Sequence, residues 1–140
     1  MKSYKDFVTQ QFPKILCIGK NYIKHVNEMG GTEAPKQPVV FLKPWTSLAL
    51  NPKSITLPRA KNNRIDHEVE LGVFFKKSGN NIQEQDVGQY IGGYFLAIDF
   101  TDRGIILYYD IELQSLAKQK GFPWEISKGQ DNFCPVSDLF

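Results

Sequence analysis

Cysteine is scarce in this chain: two residues, Cys17 and Cys134, in 140. Two cysteines make no disulfide framework, and their separation is not that of a zinc site, which favours a reducing compartment. Net charge is also small. Lys and Arg total 17 against 15 Asp and Glu, leaving +2, which gives no electrostatic basis for nucleic acid or an anionic membrane as the main partner. No apolar run approaches the roughly 18 residues of a spanning helix. Internal repeats and low-complexity tracts are absent as well. The stretch 1–14 carries Lys2 and Lys5 but also Asp6 and no Arg, so it forms no clear targeting signal. What is present is 41% hydrophobic and 23% charged residues, the composition of a soluble globular protein. A chain this long suffices for one domain and buries roughly 70% of its unfolded surface.

Apolar runs and their punctuation set out the elements. Lys14 to Gly19, opened by Pro13, reads as a buried strand. Asn21 is placed to cap a helix through about Met29, which Gly30-Gly31 ends. Pro38 to Lys43 predicts a second strand and Ser54 to Leu57 a third, each stopped by a proline. Asp66 to Phe75 alternates most clearly: Glu68, Glu70, Gly72 and Phe74 share one face, Val69, Leu71, Val73 and Phe75 the other. Gln83 to Tyr90 predicts a short helix, Gly93 to Asp99 an apolar strand, and Asp110 to Lys120 a helix. Residues 14–16, 69–73 and 94–98 read as core strands.

The chemistry concentrates on acids in apolar surroundings. Glu68 and Glu70 lie two apart on one strand face, so their carboxylates come within about 5 Å and repel by about 3 kcal/mol at an effective dielectric near 20. Solvent, a Lys or Arg, a shared proton or a cation must offset this. Asp99 ends another apolar strand and supplies a third carboxylate. Three oxygen donors with no nearby cysteine suit Mg²⁺, Mn²⁺ or Ca²⁺. An acid face turned to water is the plainer reading of the same pattern. His25 and Glu28 sit three apart on the first helix, where a carboxylate orients an imidazole as a general base requires; an exposed surface pair has the same spacing. His67 reads as a packed or hydrogen-bonded histidine rather than a ligand. Lys128 follows the apolar stretch Phe122-Pro-Trp-Glu-Ile126 and reads, alone, as a solvated lysine.

These features follow one another in a recognisable order. Ile18-Gly-Lys-Asn-Tyr22 with His25 and Glu28, Phe41-Leu-Lys-Pro44, His67-Glu-Val-Glu-Leu-Gly72, Tyr90-Ile-Gly-Gly-Tyr94, Asp99-Phe-Thr-Asp-Arg103, Lys120-Gly-Phe-Pro-Trp124, Ser127-Lys128 and Cys134-Pro-Val136 resemble the successive blocks of the fumarylacetoacetate-hydrolase-like family. The likeness is to its short acylpyruvase and oxaloacetate-handling branch. The resemblance implies an α/β (α+β) fold, the mixed β-roll of that family. Residues 1–140 then form a single domain of which 1–13 are an N-terminal extension. It implies a divalent metal, Mg²⁺ or Mn²⁺, on Glu68, Glu70 and Asp99. It implies a catalytic dyad of His25 and Glu28 on a lid helix, Lys128 contacting substrate and the developing enolate, and Arg103 and Gln114 binding substrate. The implied activity is hydrolysis of acylpyruvates to pyruvate and a carboxylic acid. Oxaloacetate decarboxylation or tautomerisation is the alternative, and a metal-binding product without turnover is another. A small 2-oxo acid is the implied partner, with a homodimer where the domain is complete and the mitochondrial matrix or cytoplasm as compartment.

The chain departs from the family pattern in two places. After Arg103 it carries an extra apolar segment, Gly-Ile-Ile-Leu-Tyr-Tyr, before Asp110, as a lid variant or an unspliced segment would. The family domain also continues past the point matching Phe140, so the chain corresponds to roughly the N-terminal two thirds of that domain. The missing part would cover or pair strand edges that otherwise invite association.

Overall fold

The computed structural model describes residues 14–28, 30–33, 35–57, 64–103 and 124–140. The helix expected at Asp110 to Lys120, the extra segment before it and Gln114 lie outside the described residues. Strands β1 (Ile15–Gly19) and β2 (Val39–Lys43) form an antiparallel hairpin with a long connection. Between them runs the one-and-a-half-turn helix α1 (Ile23–Glu28). Gly30 follows it with φ near +80°, a left-handed conformation that glycine adopts without steric cost and that ends a helix.

A second sheet has four strands in the order β3, β6, β5, β4. The members are β3 (Leu48–Leu50), β4 (Ile65–Phe75), β5 (Ile91–Asp102) and β6 (Cys134–Val136). Strands β4 and β5 pair antiparallel over nearly their whole length, from Ile65 opposite Asp102 to Phe75 opposite Ile91, with a bulge at Phe74/Phe75. Strand β3 pairs parallel to β6. A 3₁₀ segment, Glu84–Gln89, precedes β5 where a short helix is predicted. One further turn of helix, α2 (Glu125–Lys128), leads into β6. These are mixed, unclosed sheets with few helices, the α+β arrangement expected. Among the described residues no helix is long and apolar enough to cross a membrane.

Several expectations need correction, among them the buried first strand, where Leu16 is 63% and Ile18 44% exposed. Residues 54–57 form no strand; the strand lies earlier, at β3, and it exists because residues far along the chain, Cys134 to Val136, pair with it. The alternating face of Val69, Leu71 and Val73 is not core. Val69 is 66% exposed, Leu71 56% and, on β5, Leu96 53%. The opposite face, with Glu68, Glu70 and Gly72, turns inward, so the acid face does not look at water. Among the described residues one buried apolar cluster is formed by Ala97, Cys134 and Val136, flanked by Ile15, Leu48, Leu50 and Phe95.

Glycine permits the close approaches there. A Cβ on Gly72 would fall 2.1 Å from the Phe95 ring across the ladder, and one on Gly19 2.2 Å from Trp124. Trp124 also meets the Phe41 ring edge-on, with centroids 5.4 Å apart. This stack of Gly19, Trp124 and Phe41 fixes α2 against the hairpin and so fixes Lys128.

Candidate active site

A cavity of about 650 Å³ opens between the hairpin and the inner face of β4 and β5, within the range of small-molecule sites. Glu68, Glu70, Asp99, Arg103 and Lys128 line its polar part, and Phe41, Phe95 and Trp124 its apolar part. Strand register explains the acids. Glu68 stands directly opposite Asp99, and Glu70 opposite Ala97; alternation turns all three inward.

Lys128, the last residue of α2, is almost fully buried. Its Nζ donates to Asp99 Oδ2 at 2.5 Å, Thr101 Oγ1 at 2.7 Å and Glu68 Oε2 at 3.1 Å. An ammonium has three N–H groups, and all three are used. Arg103 donates through Nη2 to Glu68 Oε1 and through Nε to Asp66 Oδ2, each at 3.1 Å. Asp66 also accepts from Arg64 Nε at 3.0 Å. Burial alone would raise the Asp66 carboxyl, but the hydrogen bonds from Arg64 and Arg103 outweigh it and hold the group below its usual value. Lysine and arginine, of the possibilities open at the outset, thus offset the crowding of acids.

Glu70 differs. Burial pushes its carboxyl up; a hydrogen bond from the Tyr22 hydroxyl opposes this, and the charges of Asp99 and Glu68 add to the rise. Tyr22 immediately precedes α1, the helix that carries His25 and Glu28. The side chains of His25 and Glu28 lie outside the described part of the structure. His67 is exposed on the outer face of β4, so it is not the packed histidine expected.

The chemistry of the donor set suits a hard divalent cation: three carboxylates, Glu68, Glu70 and Asp99, line one cavity. Asp99 Oδ1 lies 2.8 Å from Lys43 Nζ as an ion pair, yet it accepts no hydrogen bond of good geometry. In the present arrangement the acids are not grouped as ready ligands. No cluster of three ligating side chains occurs among the described residues, and Lys128 Nζ lies between Glu68 and Asp99.

Three participants were not singled out from the sequence: Lys43, Thr101 and Asp66. Lys43 carried a usable signal, since it shares strand parity with the buried Phe41. Thr101 has the parity of Asp99 on β5. Nothing in the pattern marked Asp66 as the link between two arginines.

Comparison with known proteins places this geometry. Residues 14–140 match the family described as fumarylacetoacetate (FAA) hydrolase C-terminal. A mitochondrial oxaloacetate tautomerase of Arabidopsis thaliana is 40% identical over 130 residues, 93% of this chain and 54% of that protein. A mitochondrial oxaloacetate decarboxylase of Dictyostelium discoideum is 42% identical over 125 residues, 89% of this chain and 53% of that protein. The chain therefore spans about half the length of these relatives. Among solved structures, fumarylpyruvate hydrolase from Pseudomonas aeruginosa, in complex with Mn²⁺ and pyruvate, superposes with a TM-score of 0.73 at 27% identity over 91% of this chain and 52% of that one. A fumarylacetoacetate hydrolase family protein from Yersinia pestis gives 0.76 at 36% identity over 93% of this chain and 56% of that one. With the match running from β1 to the end of the chain, and with inward acids and buried lysine in place, the chain belongs to the fumarylacetoacetate (FAA) hydrolase C-terminal family.

Proposed function

We propose that this chain carries the acid, lysine and arginine part of a divalent-metal-dependent site for small 2-oxo acids. Its reaction is hydrolytic cleavage of acylpyruvates to pyruvate and a carboxylic acid. The observation that carries this reading is Lys128 Nζ held between Glu68 and Asp99 in the wall of a substrate-sized cavity. Glu68, Glu70 and Asp99 would hold the cation, Mg²⁺ or Mn²⁺, which supplies Lewis acidity toward the substrate's keto oxygen.

The chain's own residues account for the other steps. Arg103, at the cavity edge, pairs with the substrate carboxylate. Lys128 presents fixed positive charge to the oxygen that becomes an enolate, a charge developed chiefly in the transition state. His25, oriented by Glu28, takes a proton from water, and the resulting hydroxide attacks the distal acyl carbonyl. The carbon–carbon bond breaks, its electron pair passes into the pyruvate enolate, and a proton returned to carbon completes pyruvate. Gln114 assists in holding substrate. Association as a homodimer would cover the exposed apolar face of β4 and β5, and a mitochondrial location follows the named relatives.

A second reading has its own support. The A. thaliana and D. discoideum relatives are named for oxaloacetate tautomerisation and decarboxylation. Those reactions use the same enolate-stabilising charges but need no attacking water. The test is turnover of acetylpyruvate and of oxaloacetate, each with and without Mg²⁺. Mg²⁺-dependent release of pyruvate and acetate from acetylpyruvate supports the first reading. Turnover of oxaloacetate alone supports the second. Cation binding without turnover of either leaves a metal-binding product and overturns both.

A further inference from the structure

The reaction outlined above leaves Lys43 unused, yet its side chain is 0% exposed. A lysine is found so deep only when its charge and its N–H groups are met. Lys43 Nζ lies 2.8 Å from Asp99 Oδ1. It donates to the Phe133 carbonyl at 3.1 Å and to the Lys128 carbonyl, with the Phe100 carbonyl at 3.5 Å. These acceptors belong to β5, to the end of α2 and to the turn before β6. Lys43 borders the cavity, but its ammonium is enclosed by these acceptors and fully buried, so it acts on the site through them.

We propose that Lys43 is a positioning residue: its buried ammonium fixes Asp99 through one carboxylate oxygen and Lys128 through its backbone carbonyl, so that Asp99 Oδ2, Glu68 and Lys128 Nζ meet in the cavity. The inference deepens the reading of this cluster as the reactive centre and rests on it. The division of Asp99 is the central point. Oδ1 goes to Lys43 and Oδ2 to Lys128, so the two lysines together set the orientation of one carboxylate. Lys43 also spans the same gap that Trp124 spans from the apolar side, so α2 is pinned by a polar contact at its last residue and by a ring at its start. Removing the ammonium alone would leave the Asp99 carboxylate and three carbonyls without their buried partner, so its charge and its N–H groups both act on the groups it holds. The ammonium is explained by what it orients.

The experiment compares the whole chain with Lys43→Met and Lys43→Arg. Two readouts are taken on folded protein: Mn²⁺ affinity by electron paramagnetic resonance, and the ¹⁵N resonance of Lys128 Nζ in lysine-labelled protein without metal. Lys43→Met is expected to weaken Mn²⁺ about 10–100-fold, as loss of an orienting partner behind a ligand does, and to shift the Lys128 signal. Lys43→Arg is expected to recover part of both. Mn²⁺ affinity within about twofold of the parent, together with an unshifted Lys128 signal, overturns the proposal. Should Lys43→Met fail to fold, Lys43→Gln, which keeps N–H donors without the charge, is read by the same two criteria. Should the parent bind no Mn²⁺, the metal reading has failed, and the Lys128 resonance alone decides for or against Lys43.

Discussion

Glu68 and Asp99 face each other across the β4–β5 ladder, and one ammonium, Lys128 Nζ, joins them at 3.1 and 2.5 Å. Two acids opposed in register repel unless a cation intervenes. Here the cation is part of the chain. The electrostatic need of the fold and the need of the reaction for positive charge are therefore met by the same residue.

Lys128→Met separates the two roles. Removing one partner from a buried ion pair costs about 3–5 kcal/mol, so the melting temperature measured in a chelator at neutral pH should fall. Adding Mn²⁺ should restore part of the loss. Turnover of acylpyruvate should fall about 10²–10³-fold, as when one stabiliser of a developing oxyanion is removed. An unchanged melting temperature would mean that Lys128 does not neutralise Glu68 and Asp99.

His25→Ala tests the base. Hydrolysis of acylpyruvate should slow about 10²-fold or more, metal affinity should barely change, and oxaloacetate decarboxylation should suffer less. An equal fall in both reactions would make His25 a binding or folding residue.

The cysteines give a pH prediction. Burial, and then the charge of Asp99, push the Cys17 thiol up to about 12; burial pushes Cys134 up to about 11. Both thiols ionise near 9.0 once unfolded. Above about pH 9 the unfolded chain gives up protons that the folded chain keeps, so stability falls as pH rises. At pH 8, where a thiol with the ordinary value of 9.0 is about a tenth ionised, alkylation of Cys134 in the folded chain should be far slower than in urea. Rapid labelling of the buried Cys134 in the folded state would contradict the structure.

The outer face of the second sheet offers a solubility test. Leu71 and Leu96 are cross-strand partners and both are exposed. Contiguous apolar surface of this kind promotes association. Leu71→Lys with Leu96→Glu places an opposite-charge pair at that position. The double variant should keep its far-ultraviolet circular dichroism and elute from size exclusion with less associated material than the parent. Identical elution would place the association elsewhere.

Local signals gave what local physics determines. The β4 alternation made the acid face visible, Gly30 marked the end of α1, and the ordered blocks from Ile18 to Val136 carried the family. The side to which the acids turn was not local. Val69, Leu71 and Val73 read as core because they are apolar, but the hairpin packs on the other face. Strand β3 was invisible because its partner, Cys134–Val136, lies far along the chain, while residues 54–57 had a strand's composition and no partner among the described residues. Lys43 read as the end of a strand, since only the packed structure brings Asp99 and three carbonyls to its ammonium.

Calorimetric titration of Mn²⁺ into the parent chain and into Glu68→Ala tests the central claim most directly. The account predicts binding by the parent with roughly one ion per chain, and its loss in Glu68→Ala while the variant retains its fold. Equal binding by both chains, or none by a folded parent, would contradict it.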